Sequence, residues 1–133
     1  MMQRSVTALP LIMLIENDAA NRILAEMILS RAGYRCCSAA DGQAAMALME
    51  YEIPALILTD LSMPSLDGYG VARALRARPS YAQVPLVAIT AHAHEAELQR
   101  ALSQGFTDVL VKPYRREQLL ALVERILARV AHP

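Results

Sequence analysis

Short apolar runs alternate with amphipathic stretches along the whole chain. Nearly unbroken apolar runs cover Leu11–Ile15, 55–59, 84–89 and 109–111, and 34–39 reads as a further strand. Between them the pattern changes to helical spacing. Residues 19–32 place Ala20, Ile23, Leu24, Met27, Ile28 and Arg31 at that spacing, with Asp18 as N-cap and Gly33 as a C-terminal stop. Residues 41–51 predict a second helix with Ala44, Ala45, Leu48 and Met49 inward, broken at Ile53-Pro54. After a loop over 62–68, punctuated by Pro64 and Asp67-Gly68, a third helix is expected over 69–78, ended by Pro79. A fourth helix is expected over 95–104, before Gly105. The fifth repeats Leu119, Leu122, Val123, Ile126, Leu127 and Val130, an amphipathic stripe that reads as core.

Strands and helices that alternate at this length predict a parallel sheet with right-handed crossovers and helices on both faces. Continuous apolar strands fit that burial. At 133 residues the chain predicts a single domain over 1–133, with its core at about 10–130. No linker, low-complexity tract or second domain is visible in it.

Composition narrows the partners. The chain is 55% hydrophobic and 20% charged, as a packed globular domain requires. Thirteen basic residues balance thirteen acidic ones, which leaves no electrostatic footprint for nucleic acid or a membrane surface. No apolar stretch reaches the roughly 18 residues of a membrane span. Cys36 and Cys37 are adjacent and point to opposite faces of a strand, so they cannot pair with each other, and a reducing, cytoplasmic setting is expected.

The chemistry lies at the ends of the runs. Leu11–Ile15 runs into Glu16, Asn17 and Asp18; the third run ends on Asp60, the fourth on Thr90 and the fifth on Lys112-Pro113. In an open α/β sheet, ligands bind at the carboxyl edge of the strands. A carboxylate there can accept a phosphoryl group as an aspartyl-phosphate. Asp60 is the candidate acceptor. Such transfer needs acidic oxygens that hold a hard divalent cation, and Glu16 is placed for that. The Thr90 hydroxyl and the Lys112 ammonium are candidates to bind phosphoryl oxygens.

These residues resemble the response-regulator receiver domain over nearly all of 11–130. The resemblance rests on Leu-Ile-Glu-Asn-Asp at the first strand end and Leu-Thr-Asp-Leu-Ser-Met-Pro-Ser-Leu-Asp-Gly at 58–68. Ala-Ile-Thr-Ala at 88–91 and Val-Lys-Pro at 111–113 complete it in the same order and spacing. It implies a doubly wound, flavodoxin-like three-layer sandwich with strand order 2-1-3-4-5. Its function would be that of a stand-alone phosphorelay switch in two-component signalling. Asp60 would take phosphate from a sensor histidine kinase or a histidine phosphotransfer protein. The only chemistry expected is the domain's own phosphorylation and dephosphorylation, not turnover of a separate substrate. Mg²⁺ would be held by Glu16, Asn17, Asp60 and the backbone carbonyl of Ser62. Thr90 and Lys112 would contact the phosphoryl group, Ala91 would leave room for it, and Lys112-Pro113 would be a cis peptide. A downstream protein would bind the face of the fourth helix, fifth strand and fifth helix (α4–β5–α5), with Glu97, Arg100, Val109, Tyr114 and Arg116.

Two positions depart from the family pattern. Receivers usually carry a second acid where this chain has Asn17. An amide oxygen can ligate Mg²⁺, but a negative charge is lost, worth roughly 4 kcal/mol gross at 4 Å and intermediate dielectric and much less net. Weaker Mg²⁺ binding is therefore expected. Asp18 is expected to cap its helix, with compensation through water as the alternative. Val109 stands where receivers often place Tyr or Phe, so an inward aromatic swing is not available. Both departures support a rival reading, a phosphorylation-independent pseudo-receiver adaptor. A flavodoxin-like FMN protein shares the strand order, but the chain lacks a Ser/Thr/Gly-rich phosphate loop after strand one and has no tryptophan. His92 is read as a solvated loop residue in preference to a general base. His94 and His132 show no partners in the sequence, and Met27, Met46 and Met49 are expected in the core.

Overall fold

Helices on both faces explain why the strands are almost wholly apolar. The computed structural model describes residues 9–61, 67–92 and 94–131. Its elements are β1 (Leu11–Ile15), α1 (Ala19–Arg31), β2 (Arg35–Ala39), α2 (Gly42–Leu48), β3 (Leu56–Asp60), α3 (Gly68–Arg76), a 3₁₀ turn (Pro79–Tyr81), β4 (Leu86–Thr90), α4 (Glu95–Ser103), β5 (Asp108–Val111) and α5 (Arg116–Ala131). The five strands are parallel, in the order β2-β1-β3-β4-β5. This is the doubly wound arrangement expected from the sequence.

Alternation along the strands splits the core in two. Met13, Ile15, Ile57 and Ala88 pack with Ala45 of α2 and Met49 just after it, Val71 and Leu75 of α3 and Ala101 of α4. Ile12, Leu14, Leu58 and Val87 pack with Ala25 and Leu29 of α1 and with Leu119, Val123 and Ile126 of α5. The two cysteines follow the same alternation: Cys37 lies against the first cluster and Cys36 against the second. Burial, reinforced by Glu26, pushes the Cys36 thiol up to about 12, and burial also raises Cys37. Neither is a reactive thiol at neutral pH.

Polar residues set the helix ends. Asp18, Asp41 and Asp67 each accept a hydrogen bond from the backbone N–H three residues on, at Asn21 (2.9 Å), Ala44 (2.8 Å) and Gly70 (2.8 Å). Asp41 is thus a cap and α2 ends at Leu48, shorter than the predicted 41–51. Asp60 and Thr90 are the last residues of β3 and β4. Pro85 lacks an N–H, and β4 starts only after it. Pro79 does more than end α3, because it opens the 3₁₀ turn that buries Tyr81.

Two inward faces differ from the expectation. In α1 the buried residues are Ala25 and Leu29, whereas Ala20, Ile23, Leu24 and Met27 are exposed, Leu24 by 57%. A small residue at 25 lets the helix backbone approach the sheet, and that contact rotates the larger side chains outward. Met27 is therefore not a core residue, while Met49 is buried and Met46 packs against the core. In α2 and at its C-cap, Ala45 and Met49 point inward as expected, but Ala44 and Leu48 do not. The α5 stripe is core at Leu119, Leu122, Val123 and Ile126, with Leu127 packed at its margin. The Val130 side chain lies outside those described.

Candidate functional site

The strand register brings the polar run ends together. Ile15 lies opposite Thr59 and Asp60 opposite Ile89, so Glu16 continues β1 beside Asp60. Thr90 lies opposite Val111, which places Lys112 just beyond it. Backbone bonds extend the ladder past the strand ends, Glu16 N–H to the Ala39 carbonyl (3.0 Å), Leu61 N–H to Ile89 (3.1 Å) and Lys112 N–H to Thr90 (2.8 Å). The edge is thus rigid where the side chains diverge from it.

Lys112 joins the two carboxylates. Its Nζ lies 2.8 Å from Glu16 Oε1 and 2.9 Å from Asp60 Oδ2. Glu16 is 2% exposed and Asp60 8%. Burial disfavours the ammonium, but its hydrogen bonds to Glu16 and Asp60 outweigh that and hold the Lys112 pKa above its ordinary value. The other Glu16 oxygen, Oε2, accepts the Asp18 N–H at 3.0 Å, and the Glu16 carbonyl accepts from Arg22 at 2.9 Å. Nearly buried charges of this kind persist only when paired and hydrogen-bonded.

Asp60, Thr90 and Lys112 line one cavity of about 460 Å³, together with Leu61, Asp67, Tyr69, Ala91, His92, Glu97 and Arg100. The Thr90 hydroxyl accepts the His92 N–H at 3.0 Å, which leaves its own proton available to donate. Asp67 caps α3, and Gly68 is pressed against the end of β3: a Cβ there would lie 2.6 Å from the Asp60 carbonyl oxygen and 2.9 Å from Leu61 Cα. Gly68 therefore sits directly against the backbone of the acceptor candidate. The Lys112-Pro113 peptide is cis.

The remaining expected residues are spread more widely. Asn17 is exposed, next to Glu16. The Asp18 carboxylate serves as the N-cap of α1. Ser62, the expected carbonyl ligand, and His132 lie outside the described residues. His92 is exposed, and its ring lies 6.2 Å from that of His94. Glu97 and Arg100, expected on an outer docking face, line the cavity. The sequence reading missed Tyr69, which is buried between the cavity and the core. Its position next to Asp67-Gly68 was the available signal, since a residue at the start of that helix must sit beside the end of β3.

The carboxylate donors suit a hard cation. Two acidic oxygens already share one positive group as a common neighbour, so the gap between them favours cationic charge.

Comparison with known proteins agrees with this geometry. The family model of the response regulator receiver domain matches residues 12–124. A protein described as "Probable transcriptional regulator ycf27" from Porphyridium aerugineum is 38% identical over 119 residues, 90% of this chain and 48% of that protein. This chain spans about half the length of such regulators. Among solved structures, the Vibrio cholerae chemotaxis protein CheY4 aligns with a TM-score of 0.86 at 28% identity, covering 90% of this chain and 99% of that one. The receiver domain of sensor histidine kinase PA1611 from Pseudomonas aeruginosa PAO1 aligns with a TM-score of 0.83 at 34% identity, covering 91% and 99%. That receiver carries a magnesium ion coordinated in its active-site cleft.

The chain belongs to the response-regulator receiver family of two-component systems. Receiver domains are signalling domains and not classical enzymes.

Proposed function

We propose that this chain is a phosphorelay receiver in which Asp60 accepts a phosphoryl group from a histidine of a sensor kinase or phosphotransfer protein. The observation that carries this reading is the Lys112 ammonium held between Glu16 and Asp60, on the wall of the cavity that Thr90 shares. An Asp60 carboxylate oxygen attacks phosphorus and the P–N bond breaks; the donor imidazole, already protonated on its other ring nitrogen, takes the bonding electron pair and leaves neutral. The product is an acyl phosphate on Asp60. The Thr90 hydroxyl donates to one phosphoryl oxygen, and Lys112 pairs with another. Glu16, Asp60, the Asn17 amide and the Ser62 carbonyl are the proposed holders of Mg²⁺, which when bound neutralises charge on the incoming phosphoryl group. Output is proposed to pass by protein contact through the face formed by α4, β5 and α5, including Val109, Tyr114 and Arg116. The setting is proposed to be cytoplasmic; among the described residues, no helix is long and apolar enough to cross a membrane.

Incubation with Mg²⁺ and acetyl phosphate, followed by intact mass, tests this. The wild type gains the mass of one phosphoryl group and Asp60→Ala gains none. No gain in the wild type favours instead a phosphorylation-independent adaptor, the reading that Asn17 supports.

A further inference from the structure

Tyr69 links the two sides of the cavity. It is the second residue of α3, directly after Gly68, whose backbone is pressed onto the end of β3 and donates to the Leu61 carbonyl at 3.2 Å. Its position is therefore fixed relative to Asp60. Tyr69 is 6% exposed, and its ring stands edge-on to Phe106, with centroids 5.8 Å apart and planes at 87°. Its outer contacts both belong to α4. The hydroxyl donates to Glu97 Oε1 at 3.0 Å, and the Arg100 guanidinium carbon lies 4.1 Å from the ring centroid. Val109 packs against the same buried cluster as Tyr69 and Phe106. An aromatic residue thus lies at this end of the sheet after all, supplied by α3 and not by β5.

We propose that Tyr69, Glu97 and Arg100 form a charge-sensitive latch that holds α4 against the acceptor pocket and releases it when Asp60 is phosphorylated. The proposal rests on the phosphoacceptor reading above. Phosphorylation replaces the single charge of the Asp60 carboxylate with about −1.5 to −2 on the acyl phosphate, a net gain of up to about one negative charge. The added charge appears in a cavity whose α4 wall carries one anion, Glu97, and one cation, Arg100. It repels the carboxylate that accepts from Tyr69 and attracts the guanidinium that lies over its ring. Both of the latch's polar contacts weaken together, while Gly68 keeps Tyr69 in place. Burial and the Glu97 hydrogen bond raise the Tyr69 pKa, so the phenol remains a neutral donor.

Hydrogen exchange of the α4 amides, before and after treatment with acetyl phosphate and Mg²⁺, tests the latch, with intact mass recorded on the same samples. In the wild type, phosphorylation speeds α4 exchange about fivefold or more. Tyr69→Phe keeps the ring and loses the hydroxyl; its α4 exchanges faster before treatment, and its further response falls to about a third or less. Glu97→Gln, an accessible change that keeps an acceptor but not the charge, also shrinks the response. A wild type that gains the phosphoryl mass without a change in α4 exchange overturns the latch. So does a Tyr69→Phe protein that is phosphorylated and responds in full. A wild type that gains no mass removes the phosphoacceptor reading itself, and the latch with it.

Discussion

At the scale of single residues, the acceptor candidate is defined by what surrounds it. Asp60 is a common kind of strand-end acid; its distinction is a lysine 52 positions away that it shares with Glu16. Asn17 leaves this cluster one negative charge short of the family pattern. Asn17→Asp is expected to tighten Mg²⁺ binding about tenfold, equivalent to about 1.4 kcal/mol, measured by titration calorimetry at fixed ionic strength. Gly68 is constrained by space and not by its own backbone angle. Gly68→Ala forces a methyl group against the Asp60 carbonyl oxygen at 2.6 Å, and is expected to cost about 1–3 kcal/mol in urea unfolding. The same displacement should slow Asp60 phosphorylation, because the acceptor's own backbone must move.

At the scale of elements, one side chain ties together three connections that the hydrophobic pattern leaves undefined. Arg76, near the end of α3, donates to the carbonyls of Tyr81 (2.9 Å), Ala82 (3.2 Å) and Val84 (2.8 Å) on one side. On the other it donates to Gly105 through Nε (3.2 Å) and Nη2 (2.9 Å). The end of α3, the approach to β4 and the turn after α4 are fixed to one another this way. Gly105 has φ +99°, and its position beside Arg76 leaves little room for a side chain. Arg76→Ala is expected to lower stability by about 2–4 kcal/mol, measured by urea unfolding. Arg76→Lys should recover less than half of that, because an ammonium cannot span the same fork of acceptors. Nothing in the linear pattern marks Arg76, since one arginine in an amphipathic helix reads as a solvated face.

At the scale of the whole molecule, the shifted thiol, phenol and lysine groups act in one direction. Cys36, held to about 12, and Tyr69, Tyr81 and Tyr114, all raised chiefly by burial, remain protonated in the folded chain at pH values where the unfolded chain ionises. Lys112, raised by Glu16 and Asp60 against its burial, likewise keeps its proton longer when folded. The folded state therefore binds more protons than the unfolded state above about pH 9, and stability falls as pH rises there. The urea midpoint should be flat from about pH 7 to 9 and decline beyond it. Lys112→Met should lose the part of that decline that lies above pH 10.5, the ordinary lysine value.

The sequence by itself determined the alternation of strands and helices, the parallel sheet, and the four strand-end positions Glu16, Asp60, Thr90 and Lys112 at one edge. These are legible because strand burial and helical spacing are local, and because parallel strands place their carboxyl ends on the same side. The rotation of α1 about its axis was not legible: a hydrophobic stripe records which residues are apolar, whereas packing depth at Ala25 decides which of them point inward. Nor was the site's wiring. Lys112 reaching both carboxylates, Arg76 holding three connections, and Tyr69 binding α4 all depend on side chains brought together across crossovers. Those contacts are set by distance in three dimensions, which only the tertiary structure decided.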